Sequence, residues 1–419
     1  MLERARTRGQ DAALAAAAAM IGTAPPHALL IVGPGGSGKT TLALDIAAAL
    51  LCEATIEARP CRECRACRMV EHANHPDLHR LGPEGPGGQI RIGGRSGEPR
   101  GVRDLASALA LLPVEGGARV AIVEQAHRMN EDAQSALLKT LEEPPAGVLV
   151  VLCADEEERL LPTVRSRCAR LRLGPVGTRD IEALLAETGL ADAPTAARLA
   201  RLSAGRPGLA LAYAAAPEAI AVRAEIARRL VDLVPEGAAG RLDGIRELLA
   251  RSDDAAQALD RSTGSGVAPA EPAGRSRGRR RREQGVPAAA DGSATGSPSS
   301  GTNAAETPGS SSEPAADAAG PAAARLAPAE RRRAALFLVE AWRELTRDLA
   351  LVKLGGTRSV HDPSLLEEFE AVAAGLDGAA LARFLVRLGR AGELVESSVS
   401  PELVLDSLAL EWPGRTGPA

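Results

Sequence analysis

The sequence predicts an α/β region at its N-terminal end followed by an all-helical remainder, and three observations carry that reading. Between residues 1 and 175, strand-length apolar runs (Ala28–Val32, Arg119–Val123, Val148–Leu152) alternate with helical patterns, as in a mostly parallel sheet. A glycine-rich loop, Gly33–Thr40, separates the first run from an apolar helical pattern over Thr41–Cys52. Aromatic residues make up only 1% of the chain, so its cores must be built from Ala, Leu and Val, a composition that favours helices over β-sandwiches.

Each further segment has its own reason. Asn130–Glu143 is amphipathic, with Ala133, Leu137 and Leu141 recurring at four-residue spacing. Asn130 is placed to cap it, Glu131 and Asp132 favour its positive end, and Pro144-Pro145 stops it. Residues 176–250 are rich in Ala, Leu and Arg without a strand pattern, which predicts a small helical domain. Residues 251–325 change to Ser, Gly, Pro and Ala, and such a segment buries too little to offset its ordering entropy, so a disordered linker is expected. It contains "RSRGRRRR", Arg275–Arg282, for which two readings stand: a solubilising stretch or a sequence-blind DNA tether. From 326 to 412 the helical seams return, with Leu338, Trp342, Leu345, Leu349 and Val352 in one and Leu381, Phe384, Leu385 and Leu388 in another. The 419 residues thus divide into three folded parts and a linker, in keeping with their length.

Composition narrows the function classes. Lysine occurs only at 39, 139 and 353, so arginine carries nearly all the positive charge and most arginines need no functional reading. The net charge of −4 argues against a chain-wide nucleic-acid coat. No stretch of about 18 apolar residues exists, Ala12–Ile21 lacks a signal-type cleavage site, and a cytoplasmic location is expected.

Three motifs carry chemistry. "GPGGSGKT", Gly33 to Thr40, fits G-x-x-x-x-G-K-[ST] between a strand and a helix. In that pattern the backbone of Gly33, Gly35, Gly36, Ser37 and Gly38 cradles phosphate oxygens. Lys39 reaches the β- and γ-phosphates, and Thr40 ligates Mg²⁺. A loop kept only as scaffold is the alternative. Next, Cys52, Cys61, Cys64 and Cys67 form C-x8-C-x2-C-x2-C, a donor set suited to a closed, tetrahedral, structural Zn²⁺ site. Third is "VRSRC", Val164–Cys168, in which Arg167 is either a surface charge or an arginine finger; spacing alone does not choose.

Together with "SALLKTLEEPP" and "SRC", these residues resemble the AAA+ subunits of the bacterial clamp loader, the DNA polymerase III gamma/tau and delta-prime family. The resemblance is clear over roughly residues 8–215 and at the level of fold over 326–412. It implies a RecA-like nucleotide domain (1–175) bearing the cysteine module (52–67), a helical lid (176–250) and a C-terminal helical collar (326–412) through which five subunits associate. It implies gamma/tau and delta subunits, the sliding clamp and primed DNA as partners, with ATP and Mg²⁺ at the P-loop.

Within that family the residues lean toward delta-prime. The motor subunits carry Asp-Glu-x-His where this chain has Glu124-Gln125-Ala126-His127, leaving Glu124 as the remaining acid for Mg²⁺. They carry a polar side chain at the end of the next core strand, where Ala154 is expected here, and a lid arginine where Gly208 stands, with Arg206 displaced. The resemblance therefore implies a subunit of the polymerase III holoenzyme with weak or absent ATPase of its own, offering Arg167 to a neighbour's ATP. An active gamma/tau-type ATPase and a stand-alone P-loop enzyme are the alternatives.

Overall fold

The computed structural model describes residues 1–23, 25–84, 88–94, 100–115, 117–264, 327–396 and 399–414. The Arg275–Arg282 run lies outside them. The N-terminal part runs α1 (Asp11–Thr23), β1 (Ala28–Val32), α2 (Lys39–Leu51), α3 (Arg65–Glu71), β2 (Leu78–Leu81), α4 (Val102–Leu109), β3 (Arg119–Val123), α5 (Glu131–Glu142), β4 (Val148–Ala154), α6 (Pro162–Arg165) and β5 (Ala169–Arg172). The five strands form one sheet in the order β5-β1-β4-β3-β2, every pairing parallel. This is the α/β P-loop architecture expected from the alternating pattern.

Strand composition follows position. The inner strands β3 and β4 are buried along their whole length, because helices cover both sheet faces. Alternate residues serve opposite cores. Leu29, Ile31, Val120, Ile122, Leu149 and Val151 pack with α1 and α2, while Leu30, Ala121, Val123, Val150 and Leu152 pack with α4 and α5. The edge strands β2 (LHRL) and β5 (ARLR) are four residues each and carry His and Arg, which blunts them against further pairing. Asn130 caps α5 as expected, its Oδ1 accepting from the Ala133 N–H at 2.9 Å.

Among the described residues that follow, the helices are α7 (Thr178–Thr188), α8 (Ala193–Leu202), α9 (Pro207–Ala215), α10 (Pro217–Asp232), α11 (Ala238–Gly264), α12 (Pro328–Lys353), α13 (Leu366–Ala373), α14 (Gly378–Glu396) and α15 (Pro401–Glu411). None of the described helices is long and apolar enough to cross a membrane. One core joins α7, α8 and α9 with Ala255 and Ala258 of α11. A second joins Ile226–Val234 and Ile245–Leu249 to α12, α13, α14 and α15. The stretch from 251 to 264, expected to be linker, is helical instead, because α11 continues to Gly264 with Ser252, Ala255, Ala256 and Ala258 buried. Small side chains hide burial from a composition count, since they reach the core by close helix approach rather than by bulk.

Trp342 centres the second core, with its ring 5.4 Å from both Phe384 and Trp412, and those two 5.0 Å apart. The Trp412 Nε1–H donates to the Leu230 carbonyl at 3.2 Å, fastening the last described helix to α10. Trp342 is fully buried, so Trp342→Ala is expected to cost about 3–5 kcal/mol in the unfolding transition of the helical half, read by urea titration.

Candidate functional site: a P-loop at the sheet edge and a four-cysteine module

In an open parallel sheet, ligands bind beyond the carboxyl ends of the strands. Here β1 is followed by the Gly33–Thr40 loop, β3 by Glu124-Gln125 and β4 by Asp155, all at that edge. Val32 pairs with Ala154, and the Gly33 N–H donates to the Ala154 carbonyl at 3.3 Å, so the loop and the end of β4 lie side by side. Gly36 and Gly38 have φ of 78° and 100°, the left-handed region that suits glycine in a phosphate-type nest. A side chain at Gly33 would meet the Leu173 carbonyl oxygen at 2.7 Å. The Ser37 Oγ is buried and has no hydrogen-bond partner among the described residues, which fits a loop built to receive another acceptor or donor. Thr40 is half-buried in the first turn of α2.

Lys39 is engaged from within. Its Nζ donates to the carbonyls of Gly33 (2.7 Å) and Pro34 (2.8 Å) and pairs with Asp155 Oδ1 at 2.7 Å. The residue expected at the end of β4, Ala154, is buried, and the polar group there is its neighbour Asp155. His127 stands behind it, its Nδ1 accepting from the Asp155 N–H at 3.2 Å; burial holds the imidazole below its ordinary pKa. Glu124 turns toward Arg80, whose Nε donates to Oε1 at 2.7 Å, and lines a cavity of about 380 Å³ with Arg100 and Asp104. Gln125 is exposed in a left-handed conformation, φ 48°.

The helical part reaches the loop at α9. The Gly208 N–H donates to the Gly36 carbonyl at 2.9 Å, and a Cβ on Gly208 would lie 3.2 Å from the Gly36 Cα. Arg206 starts beside the same loop, since its Cβ would be 3.5 Å from a Cβ on Gly36. Its guanidinium goes elsewhere, to Glu344 (2.6 Å) and Glu340 (2.8 Å) of α12. Arg223 Nε adds a 2.9 Å bond to Glu344. Burial alone would raise the Glu344 carboxyl, but Arg223 and Arg206 hold it below the usual carboxylate range. None of these partners is legible from spacing, because they lie 134 and 138 residues from Arg206.

Arg167 lies just after α6, apart from these contacts. It pairs with Glu142 at 2.7 Å and donates to the Thr163 carbonyl at 2.9 Å. Neither partner belongs to the P-loop. Its neighbour Cys168 is buried, which pushes that thiol up to about 11.

The four cysteines are brought together. Their sulfurs all lie within 4.8 Å of one another, Cys52 and Cys64 at 3.9 Å. A tetrahedron with metal–sulfur bonds of about 2.3 Å has edges near 3.8 Å, so the set fits one metal ion. Backbone N–H groups of Ala54 and Cys61 point at the Cys52 sulfur, that of Cys64 at Cys61, and that of Cys67 at Cys64, at 3.3–3.4 Å. Such donors favour thiolate: those from Glu63 and Cys64 bring the Cys61 thiol down to about 6, whereas burial raises Cys52 and Cys67. His72, His75 and His79 are not part of the set. The module is tied to α2 through Asp45, fully buried, which takes the Arg62 guanidinium, the N–H groups of Arg6 (3.0 Å) and Thr7 (2.9 Å), and the Thr7 hydroxyl (2.7 Å).

Comparison with known proteins bears on the α/β part. Residues 14–177 match a family model described as DNA polymerase III, delta subunit. The chain is 38% identical over 144 residues to DNA polymerase III subunit delta' of Pseudomonas aeruginosa, 34% of this chain and 42% of that one. It is 34% identical over 186 residues to subunit delta' of Escherichia coli, 44% of this chain and 54% of the relative. Subunit tau of Salmonella typhimurium is 32% identical over 177 residues, 41% of this chain and 26% of that protein. The chain spans about half the length of the curated delta' relatives it matches, or less.

The sulfur geometry leads to a direct test. Elemental analysis of purified chain is expected to return one metal ion per chain, and replacing Cys61 and Cys64 together by Ser is expected to abolish it.

Proposed function

We propose that the chain serves as a delta-prime-type subunit of the bacterial DNA polymerase III clamp loader, a reading supported by the match of residues 14–177 and by the similarity to subunits delta' and tau. In this reading residues 1–175 are the nucleotide domain, the helices from 176 are the lid, and the region from 326 to 412 is the collar. The chain assembles with gamma/tau and delta subunits, contributes to placing a sliding clamp on primed DNA, and lends Arg167 to a neighbouring subunit's ATP rather than turning over its own. The four cysteines hold a structural zinc ion.

The observation that carries the reading is the commitment of Arg206. Arg206, which starts beside the P-loop, spends its guanidinium on two α12 carboxylates, so it is not offered to a γ-phosphate. Gln125 supports it. An amide in place of a carboxylate removes the acceptor that polarises an attacking water, a change typically worth about 10²–10⁴ in rate. Arg167 fits the donor role because its hold is loose. Its side chain and that of Glu142 are 34% and 51% exposed, and an ion pair so placed contributes about 0–1 kcal/mol, so a phosphate readily displaces the carboxylate. Exposed Val386, Leu403 and Leu410 on α14 and α15 give the collar apolar surface for assembly. A complete Gly33–Thr40 loop favours a second reading, an active gamma/tau-type ATPase.

Reconstitution with gamma/tau and delta tests the proposal. Arg167→Ala is expected to leave the complex intact on gel filtration and to slow turnover at the one site it faces by about 10³ or more, the scale of an arginine finger, lowering the ATPase of the complex by that site's share. Unchanged ATPase in the intact complex would remove Arg167 from the role. Steady turnover by the isolated chain, abolished by Lys39→Ala, would favour the motor reading instead.

A further inference from the structure

An ammonium group has three donors, and all three of Lys39 are spent inside the chain, on the carbonyls of Gly33 and Pro34 and on the carboxylate of Asp155. Only 7% of the lysine is exposed. The carboxylate is held against the loop from two directions. Its own N–H is fixed to His127 Nδ1, and Oδ2 would lie 3.2 Å from a Cβ on Gly35 at the crown of the loop. The lid closes the opposite side through the Gly208–Gly36 bond. In a loop of this sequence the lysine reaches the β- and γ-phosphates. The chain therefore keeps an anion of its own where the end of a triphosphate would meet Lys39.

We propose that Asp155 acts as an internal anion that excludes the terminal phosphate, so that the Gly33–Thr40 loop selects nucleoside diphosphates over triphosphates. A diphosphate uses the backbone nest and leaves the Asp155–Lys39 pair in place. A triphosphate must separate that pair and bring its most charged group against a carboxylate, and like charges at a few ångströms repel strongly in a partly buried site. Selectivity comes from repulsion built into the chain rather than from a missing contact. The role assigned to Asp155 is one of specificity, exerted through its hold on Lys39. The inference rests on the loop being a phosphate cradle, as in the proposed function, and is independent of Arg167.

Calorimetric titration of the full-length, metal-replete chain with ATP and with ADP, each with Mg²⁺, tests this in wild type, Asp155→Asn and Asp155→Ala. Wild type is expected to bind ADP at least about tenfold tighter than ATP, a difference of about 1.4 kcal/mol. Both variants are expected to gain about tenfold or more for ATP while ADP affinity stays within about threefold. ATP binding that appears only in the variants also supports the proposal. Three results overturn it: wild type that binds the two nucleotides equally, variants that leave the ATP-to-ADP ratio unchanged, or no nucleotide binding by any of the three with native circular dichroism. The last of these results also counts against the cradle itself, whereas the Arg167 reading stands or falls on the ATPase of the complex.

Discussion

The parallel pairing of β1 with β4 is the constraint on which the site depends. It sets Val32 opposite Ala154, so the first residues beyond each strand, Gly33 and Asp155, emerge at one level of the sheet edge. The Gly33 amide is then taken by Ala154, and the chain must turn sharply over β4 to start α2. That turn permits little besides glycine, since Leu173 from beyond β5 crowds Gly33 on the other side. Strand order, loop composition and the contact between Lys39 and Asp155 are consequences of one register.

From the loop, a continuous chain of contacts runs into the helical half. Gly36 meets Gly208 backbone to backbone, Arg206 sits two residues before Gly208, and its guanidinium shares Glu344 with Arg223. Arg128 and Arg159, from the α/β part, both reach Glu396 on α14, at 3.3 and 2.6 Å. A buried carboxylate between two guanidiniums has high stakes, because removing one partner of such a group costs about 3–5 kcal/mol while the intact set gains little over apolar packing. Its value lies in fixing geometry: α9 cannot shift on the Gly33–Thr40 loop without disturbing Glu344.

The sequence made the inner sheet legible and hid its edges. Ala28–Val32 and Arg119–Val123 were readable as strands because both faces of β1 and β3 are buried, which demands unbroken apolar residues. β2 and β5 carry His79, Arg80, Arg170 and Arg172 for the edge positions they hold, and so show no strand pattern. Cysteine spacing revealed the four-sulfur cluster because its members are local, within sixteen residues of chain. Asp155 was not singled out: its role is set by the β1–β4 register, and along the sequence alone Ala154 took the position. The partners of Arg206 were out of reach for the same reason on a larger scale, since they lie across the segment of small residues between α11 and α12.

Scarcity of lysine and aromatics sharpens the contrast between the two cations at issue. With ion pairs left almost wholly to arginine, a lone lysine buried at the head of α2 needs a reason, and its three inward bonds show what the fold does with it. A guanidinium in that place would be too broad for two carbonyls and one carboxylate converging on a point charge, whereas an ammonium suits them. Arg167 has the opposite setting: a forked side chain, a third exposed, on a pair that water already screens. A buried lysine that must break a pair to accept a phosphate and a surface arginine that exchanges one oxyanion for another differ in the cost of engaging a nucleotide. That difference is what sets the proposed outward role of Arg167 apart from the proposed selectivity at the chain's own loop.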